Sequence, residues 1–110
     1  MENGMTVKSI QRKANLFVTN ELGLHARPAV KIANLAQTFD STIHIGTKHK
    51  KVKAKSILGV LSLDASEGTE VTVIAEGHDA DKAIHAFEEL FACSFNEPVG
   101  SSPQSDGGMQ

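Results

Sequence analysis

Seven short segments of alternating hydrophobic period constrain the fold of this chain more than any other feature. Ala14-Asn15-Leu16-Phe17-Val18-Thr19 is an apolar run rich in strand formers, halted at Asn20-Glu21-Leu22-Gly23. Ala26, Ala29, Ile32, Ala33, Ala36 and Phe39 then recur at helical spacing, with small side chains near the start of the stripe. Thr42-Ile43-His44-Ile45 and Lys51-Val52-Lys53-Ala54 predict two strands joined by a hairpin turn at Gly46-Thr47-Lys48-His49. Ser56 is placed to cap a short helix over Ile57–Leu63, since its hydroxyl can accept from a free first-turn N–H. After a loop at 64–68, Glu70-Val71-Thr72-Val73-Ile74-Ala75 predicts a further strand. Asp79 or Asp81 then opens a helix carrying Ala83, Ile84, Phe87, Leu90 and Phe91 on one face. The order is β-α-β-β-α-β-α. Three helices with apolar stripes facing one way, over four antiparallel strands, make an α+β, two-layer open-faced sandwich.

The chain has 110 residues, enough for one core. Five Phe with no Trp or Tyr mean that the core is built mainly from Val, Ile, Leu and Ala. Residues 1–13 are mostly polar and are expected to form a flexible leader to a domain at 14–95. The 96–110 segment turns to Pro, Ser, Gly, Asn and Gln, which bury too little surface to offset chain entropy, so a disordered tail is expected. A net charge of −2 gives no general reason to expect nucleic acid as a partner. The single Cys93 excludes an internal disulfide. No apolar run approaches the roughly 20 residues of a membrane span, and the first residues lack the pattern of a secretory signal. A cytoplasmic monomer without membrane insertion is the expectation.

The chemistry concentrates in Gly23-Leu24-His25-Ala26-Arg27-Pro28-Ala29. Gly23 permits a sharp turn from strand to helix, and Pro28 suits the first helical turn, where a missing N–H costs nothing. His25 then lies at the helix start, beside unpaired backbone donors and a helix-end charge of about +0.5, an arrangement that binds anions. Arg27 adds a permanently charged donor fork for phosphate oxygens. A neutral imidazole has a free lone pair and is a competent nucleophile for phosphoryl groups. A lone histidine at a helix start has an equally simple structural reading, as a hydrogen-bonded terminal residue. The residue types alone leave the two open.

The run Asn20-Glu21-Leu22-Gly23-Leu24-His25-Ala26-Arg27-Pro28-Ala29 resembles the active-site segment of the HPr family, the histidine-containing phosphocarriers of the phosphoenolpyruvate-dependent sugar phosphotransferase system. Lys55–Leu63 resembles that family's regulatory segment, and Glu67–Gly77 resembles its last strand. The likeness runs in order from about Asn15 to Phe91. It implies a four-stranded antiparallel sheet covered by three helices, with His25 as the phosphorylated histidine and Arg27 as the arginine that supports the phosphoryl group. It further implies enzyme I as donor and IIA domains of permeases or regulators as acceptors. Such a protein is a covalent intermediate in phosphotransfer, not an enzyme with its own turnover.

Ser-Ile-Leu-Gly-Val-Leu from Ser56 resembles the HPr version that is phosphorylated on serine by HPr kinase/phosphorylase. Serine also has a sufficient reason to be there as a favoured N-cap. Ala29, Lys31, Asn34, Ile57, Leu58 and Leu61 are expected to form a partner-binding surface around His25, each with core packing as its alternative. The Lys48, Lys50, Lys51, Lys53 and Lys55 run reads as a solvated strand edge that discourages edge pairing, with partner steering secondary and nucleic acid not expected. His44 and His49 lack a third ligand at a known spacing, so no metal is expected, and no cofactor either. Two competitors remain in view. One is a mainly regulatory relative of the family, in a nitrogen branch or in catabolite control, with little sugar flux. The other is a small hydrolase of acylphosphatase type, which needs a phosphate loop and catalytic asparagine not found here.

Overall fold

The computed structural model describes residues 10–97. The strands are β1 (Gln11–Phe17), β2 (Thr42–Gly46), β3 (Lys51–Lys53) and β4 (Glu70–Glu76). The helices are α1 (Ala26–Ala36), α2 (Ile57–Ser62) and α3 (Ala80–Ala92), and a 3-10 turn follows at Ser94–Asn96. The sheet order is β1-β4-β2-β3, with every pair antiparallel. The chain is therefore the expected open sheet with three helices on one face. In β4, Val71, Val73 and Ala75 are fully buried while Thr72 and Ile74 are half-buried, the period-two pattern of a sheet covered on one side. On α1, Ala29, Ile32, Ala33 and Ala36 are buried at helical spacing, and α3 contributes Ala83, Ile84, Phe87 and Phe91 to the same core. No helix among the described residues is long and apolar enough to cross a membrane.

The boundaries differ from the sequence reading in three places. First, β1 begins at Gln11, so the leader expected to reach residue 13 gives Gln11, Arg12 and Lys13 to the sheet. They pair with Glu76, Ala75 and Ile74. All three are exposed and polar, so no alternation marks them as strand. Second, α1 stops at Ala36, and Phe39 reaches the core from beyond the helix. Third, Asn96 and Glu97, expected to fall in the tail, are held against the domain. Residues 1–9 and 98–110 lie outside the described region. Among the lysines, Lys51 and Lys53 stand exposed on β3, an edge strand, as the edge reading requires.

Asp79 precedes α3 but does not cap it with its side chain. It reaches instead to the turn before β2, accepting from the backbone N–H of Asp40 at 2.8 Å and of Ser41 at 2.9 Å, and from the Ser41 hydroxyl. Gly77 makes room for this lock: its φ is +149°, and a Cβ there would meet Ser41 Oγ at 2.7 Å. The Ser41 hydroxyl, the two backbone donors and nearby His78 together hold the Asp79 carboxyl at a pKa of about 2, below its ordinary 3.8, against the opposing effect of desolvation. A carboxyl depressed by folding stabilises the folded state above the unfolded pKa and ceases to do so as pH falls through the folded one. Stability is therefore expected to fall as pH drops from about 4 towards 2, and Asp79→Asn is expected to flatten that limb. Urea unfolding across this range checks it, and an unchanged limb in the variant refutes the assignment.

Candidate functional site

The segment before α1 is shaped by Asn20 and Gly23. Asn20 is fully buried; its side-chain Nδ2 donates to the Gly23 carbonyl at 2.6 Å, and its own carbonyl accepts from Gly23 N at 3.0 Å. Gly23 takes φ +69°, and a Cβ on it would lie 2.4 Å from the Ala65 carbonyl oxygen. Only glycine fits both the left-handed backbone and this close approach. Leu24 N then donates to Ala65 O at 2.9 Å, pinning the loop to the segment before β4.

His25 follows in extended conformation, φ −79° and ψ −165°, as the N-cap of α1. Its carbonyl accepts the first helical bond, from Ala29 N at 3.0 Å. Its side chain makes no capping bond, so it leaves the first-turn donors of Ala26 and Arg27 to another acceptor, and Pro28 has no N–H to satisfy. The imidazole is one-third exposed, and Arg27 is largely exposed beside it. Glu21, Leu22, His25, Arg27 and Glu97 line a shallow depression of about 160 Å³. An anion arriving there meets an imidazole ring, two N–H groups without a partner among the described residues at the positive end of an 11-residue helix, and an exposed guanidinium.

Glu97 is the member that the sequence did not reveal. Its carboxylate, only 7 % exposed, takes Oε1 to 3.0 Å from His25 Nε2 and 3.3 Å from Asn20 Nδ2, while Oε2 lies 3.8 Å from Arg27 Nε. It sits in a stretch whose polar composition marks it only as tail, and no periodicity points to it. Asn20, read as a strand stop, likewise proves to be part of the scaffold under the histidine.

Ser56 caps α2 as its residue type implies, with Oγ accepting from Gly59 N at 2.9 Å. The expected partner surface needs one correction. Ala29 is fully buried in the core, because it falls on the inward stripe of α1, and it cannot meet a partner. Leu61 is half-buried against the core, and half-buried Lys31 donates through Nζ to the Phe95 carbonyl. Asn34, Ile57 and Leu58 are exposed, Leu58 at 78 %. Leu22, at 73 %, and Val30 are further exposed apolar residues close to His25 in the sequence.

Comparison with known proteins shows the family and the fold. The family model described as "PTS HPr component phosphorylation site" matches residues 12–92. The phosphocarrier protein HPr of Xylella fastidiosa (strain 9a5c) is 46 % identical over 82 residues, covering 74 % of this chain and 92 % of that protein. The phosphocarrier protein NPr of Shewanella violacea is 44 % identical over 80 residues, covering 73 % and 88 %. The crystal structure of HPr-C-His from Thermoanaerobacter tengcongensis superposes with a TM-score of 0.76 at 40 % identity, covering 80 % of this chain and 99 % of that one.

Proposed function

The chain belongs to the HPr family of phosphotransferase-system phosphocarriers, and we propose that it accepts a phosphoryl group on His25 from phosphorylated enzyme I and donates it to IIA domains. The observation that carries this reading is the uncapped start of α1, where His25 stands with free donors behind it and Arg27 alongside. A carrier needs its histidine within reach of a second protein's reactive group at both transfers. A one-third exposed ring at a shallow depression provides that reach. The protein then acts as a covalent intermediate rather than as an enzyme with turnover of its own, in the cytoplasm and as a monomer. Exposed Leu22, Val30, Ile57 and Leu58 supply apolar anchors for docking on both partners, with Lys31 and Asn34 among them. The test is incubation with phosphoenolpyruvate and enzyme I, followed by intact mass, with His25→Ala in parallel. One acid-labile phosphoryl group on the parent alone supports the reading. No transfer from several enzyme I sources overturns it.

Ser56 is the site proposed for regulation by HPr kinase/phosphorylase. Its side chain is exposed at the start of α2, next to exposed Ile57 and Leu58. A phosphate there adds a charge of nearly −2 at the rim of the docking anchors and repels acidic partner groups. Ser56→Ala is expected to take no label from the kinase, and to lose about 1 kcal/mol of stability with the cap. Labelling of the variant equal to the parent refutes the site. A second reading, a mainly regulatory protein of the nitrogen branch or of catabolite control, draws on the NPr relative at 44 % identity. Phosphorylation confined to one enzyme I type, with no IIA domain of a sugar permease as acceptor, favours it.

A further inference from the structure

Three consecutive non-glycine residues after α3 hold left-handed backbone: Ser94 at φ 53°, Phe95 at 58° and Asn96 at 61°. Such conformations persist only where the surroundings enforce them. Here Phe95 is fully buried, its ring edge-on to Phe91 with centroids 4.7 Å apart. The Ser94 and Thr19 hydroxyls share a hydrogen bond of 2.6 Å, and Lys31 Nζ donates to the Phe95 carbonyl. The strained turn is thus bolted to the domain on three sides, and what it delivers is the Glu97 carboxylate onto His25. A carboxylate this buried has little water to hydrogen-bond, and its Oε2 has no hydrogen-bond partner among the described residues.

Resting on the phosphocarrier reading of His25, we infer that Glu97 is a positioning residue for phosphoryl transfer, fixing the tautomer and orientation of the histidine through Nε2. An ionised carboxylate only accepts, so the ring nitrogen 3.0 Å from it must be the donor. The proton therefore stays on Nε2, and the lone pair of the neutral ring is placed on Nδ1. In the transfer, Nδ1 forms a bond to phosphorus as the donor's bond to phosphorus breaks, and the electron pair of that bond leaves with the donor. His25 neither gains nor loses a proton. The positive charge that develops on the ring is matched by Glu97 at Nε2 and by the phosphoryl oxygens at Nδ1. Return of the phosphoryl group to an acceptor runs the same step in reverse, again with Nε2 protonated. A carboxylate behind a nucleophilic or basic imidazole performs this orienting service in other chemistries.

The experiment measures the ring tautomer by long-range 1H–15N NMR and the rate of phosphoryl uptake, on the full chain and on Glu97→Ala and Glu97→Gln. The parent is expected to carry its proton on Nε2. Glu97→Ala is expected to populate the Nδ1–H form and to accept phosphoryl groups about ten-fold more slowly. Glu97→Gln, whose amide oxygen still accepts from Nε2–H, is expected to recover most of that loss. Backbone NMR spectra establish that both variants are folded. A parent ring protonated on Nδ1, or a Glu97→Ala variant with unchanged tautomer or rate, overturns the inference. Faster uptake in Glu97→Ala also overturns it, by showing that the carboxylate competes with the phosphoryl group. The tautomer is read without any phosphoryl donor. A parent that takes up no phosphate therefore refutes the carrier reading, while the NMR result still judges the Glu97 contact.

Discussion

His25→Ala gains no acid-labile phosphoryl group from phosphoenolpyruvate and enzyme I, while the parent gains one. The expected effect is complete, because the other four histidines stand elsewhere: His44 in β2, His49 in the hairpin, and His78 and His85 near the start of α3 and within it. None of them opens a helix with uncapped donors next to an arginine. The substitution is also clean in folding terms. The His25 side chain does not cap α1, and it is absent from the hydrophobic core. It gives up one hydrogen bond to Glu97, at a cost on the order of 1 kcal/mol. Loss of phosphorylation with a retained melting transition therefore reads as loss of the acceptor atom. Stoichiometric, acid-labile labelling of the variant would remove His25 from the mechanism and leave the fold intact.

Much of this site was legible because its geometry is local. A glycine two residues before the histidine and a proline three after it dictate a turn and a helix start whatever the rest of the chain does. Ser56 is similar: an N-cap is decided within four residues, and its Oγ meets Gly59 N as the spacing implies. The element order was legible for the same reason, since periods of two and 3.6 are written into consecutive residues. What escaped depends on distance along the chain. Glu97 meets His25 across 72 positions, through a turn with three consecutive left-handed residues of which Ser94 and Phe95 have no local preference for that conformation. Gln11, Arg12 and Lys13 form strand only because β4 is there to pair with them. Ala29 follows the active turn and so counts among the expected partner residues, although it also stands on the apolar stripe read from the sequence. Burial was decided by the phase of α1, which turns Ala29 inward with Ile32, Ala33 and Ala36.

The largest stability effect is expected at Phe87. With no Trp or Tyr in the chain, Phe87, Phe91 and Phe95 are the largest side chains of a core otherwise built from Ala, Val, Ile and Leu. Phe87 is fully buried on α3, which packs on β1 and β4. Phe87→Ala removes a ring from a core cluster made otherwise mainly of Ala, Val and Ile side chains, which are too small or too fixed to replace it, at a cost of about 3–5 kcal/mol. For a domain of this size that is a fall in melting temperature of about 20 °C, a large share of the roughly 5–15 kcal/mol that holds such a domain together. Phe95→Ala is the contrast. Its ring is equally buried, but it lies on the short 3-10 turn after α3, which can peel away and relieve the cavity. Its thermal cost is therefore expected to be less than half that of Phe87→Ala, although it also frees Glu97 from His25. Calorimetric melting of the two variants separates the cases. Equal losses would mean that the 3-10 turn is as integral to the core as α3, and a fall below about 5 °C for Phe87→Ala would refute its central place in the packing.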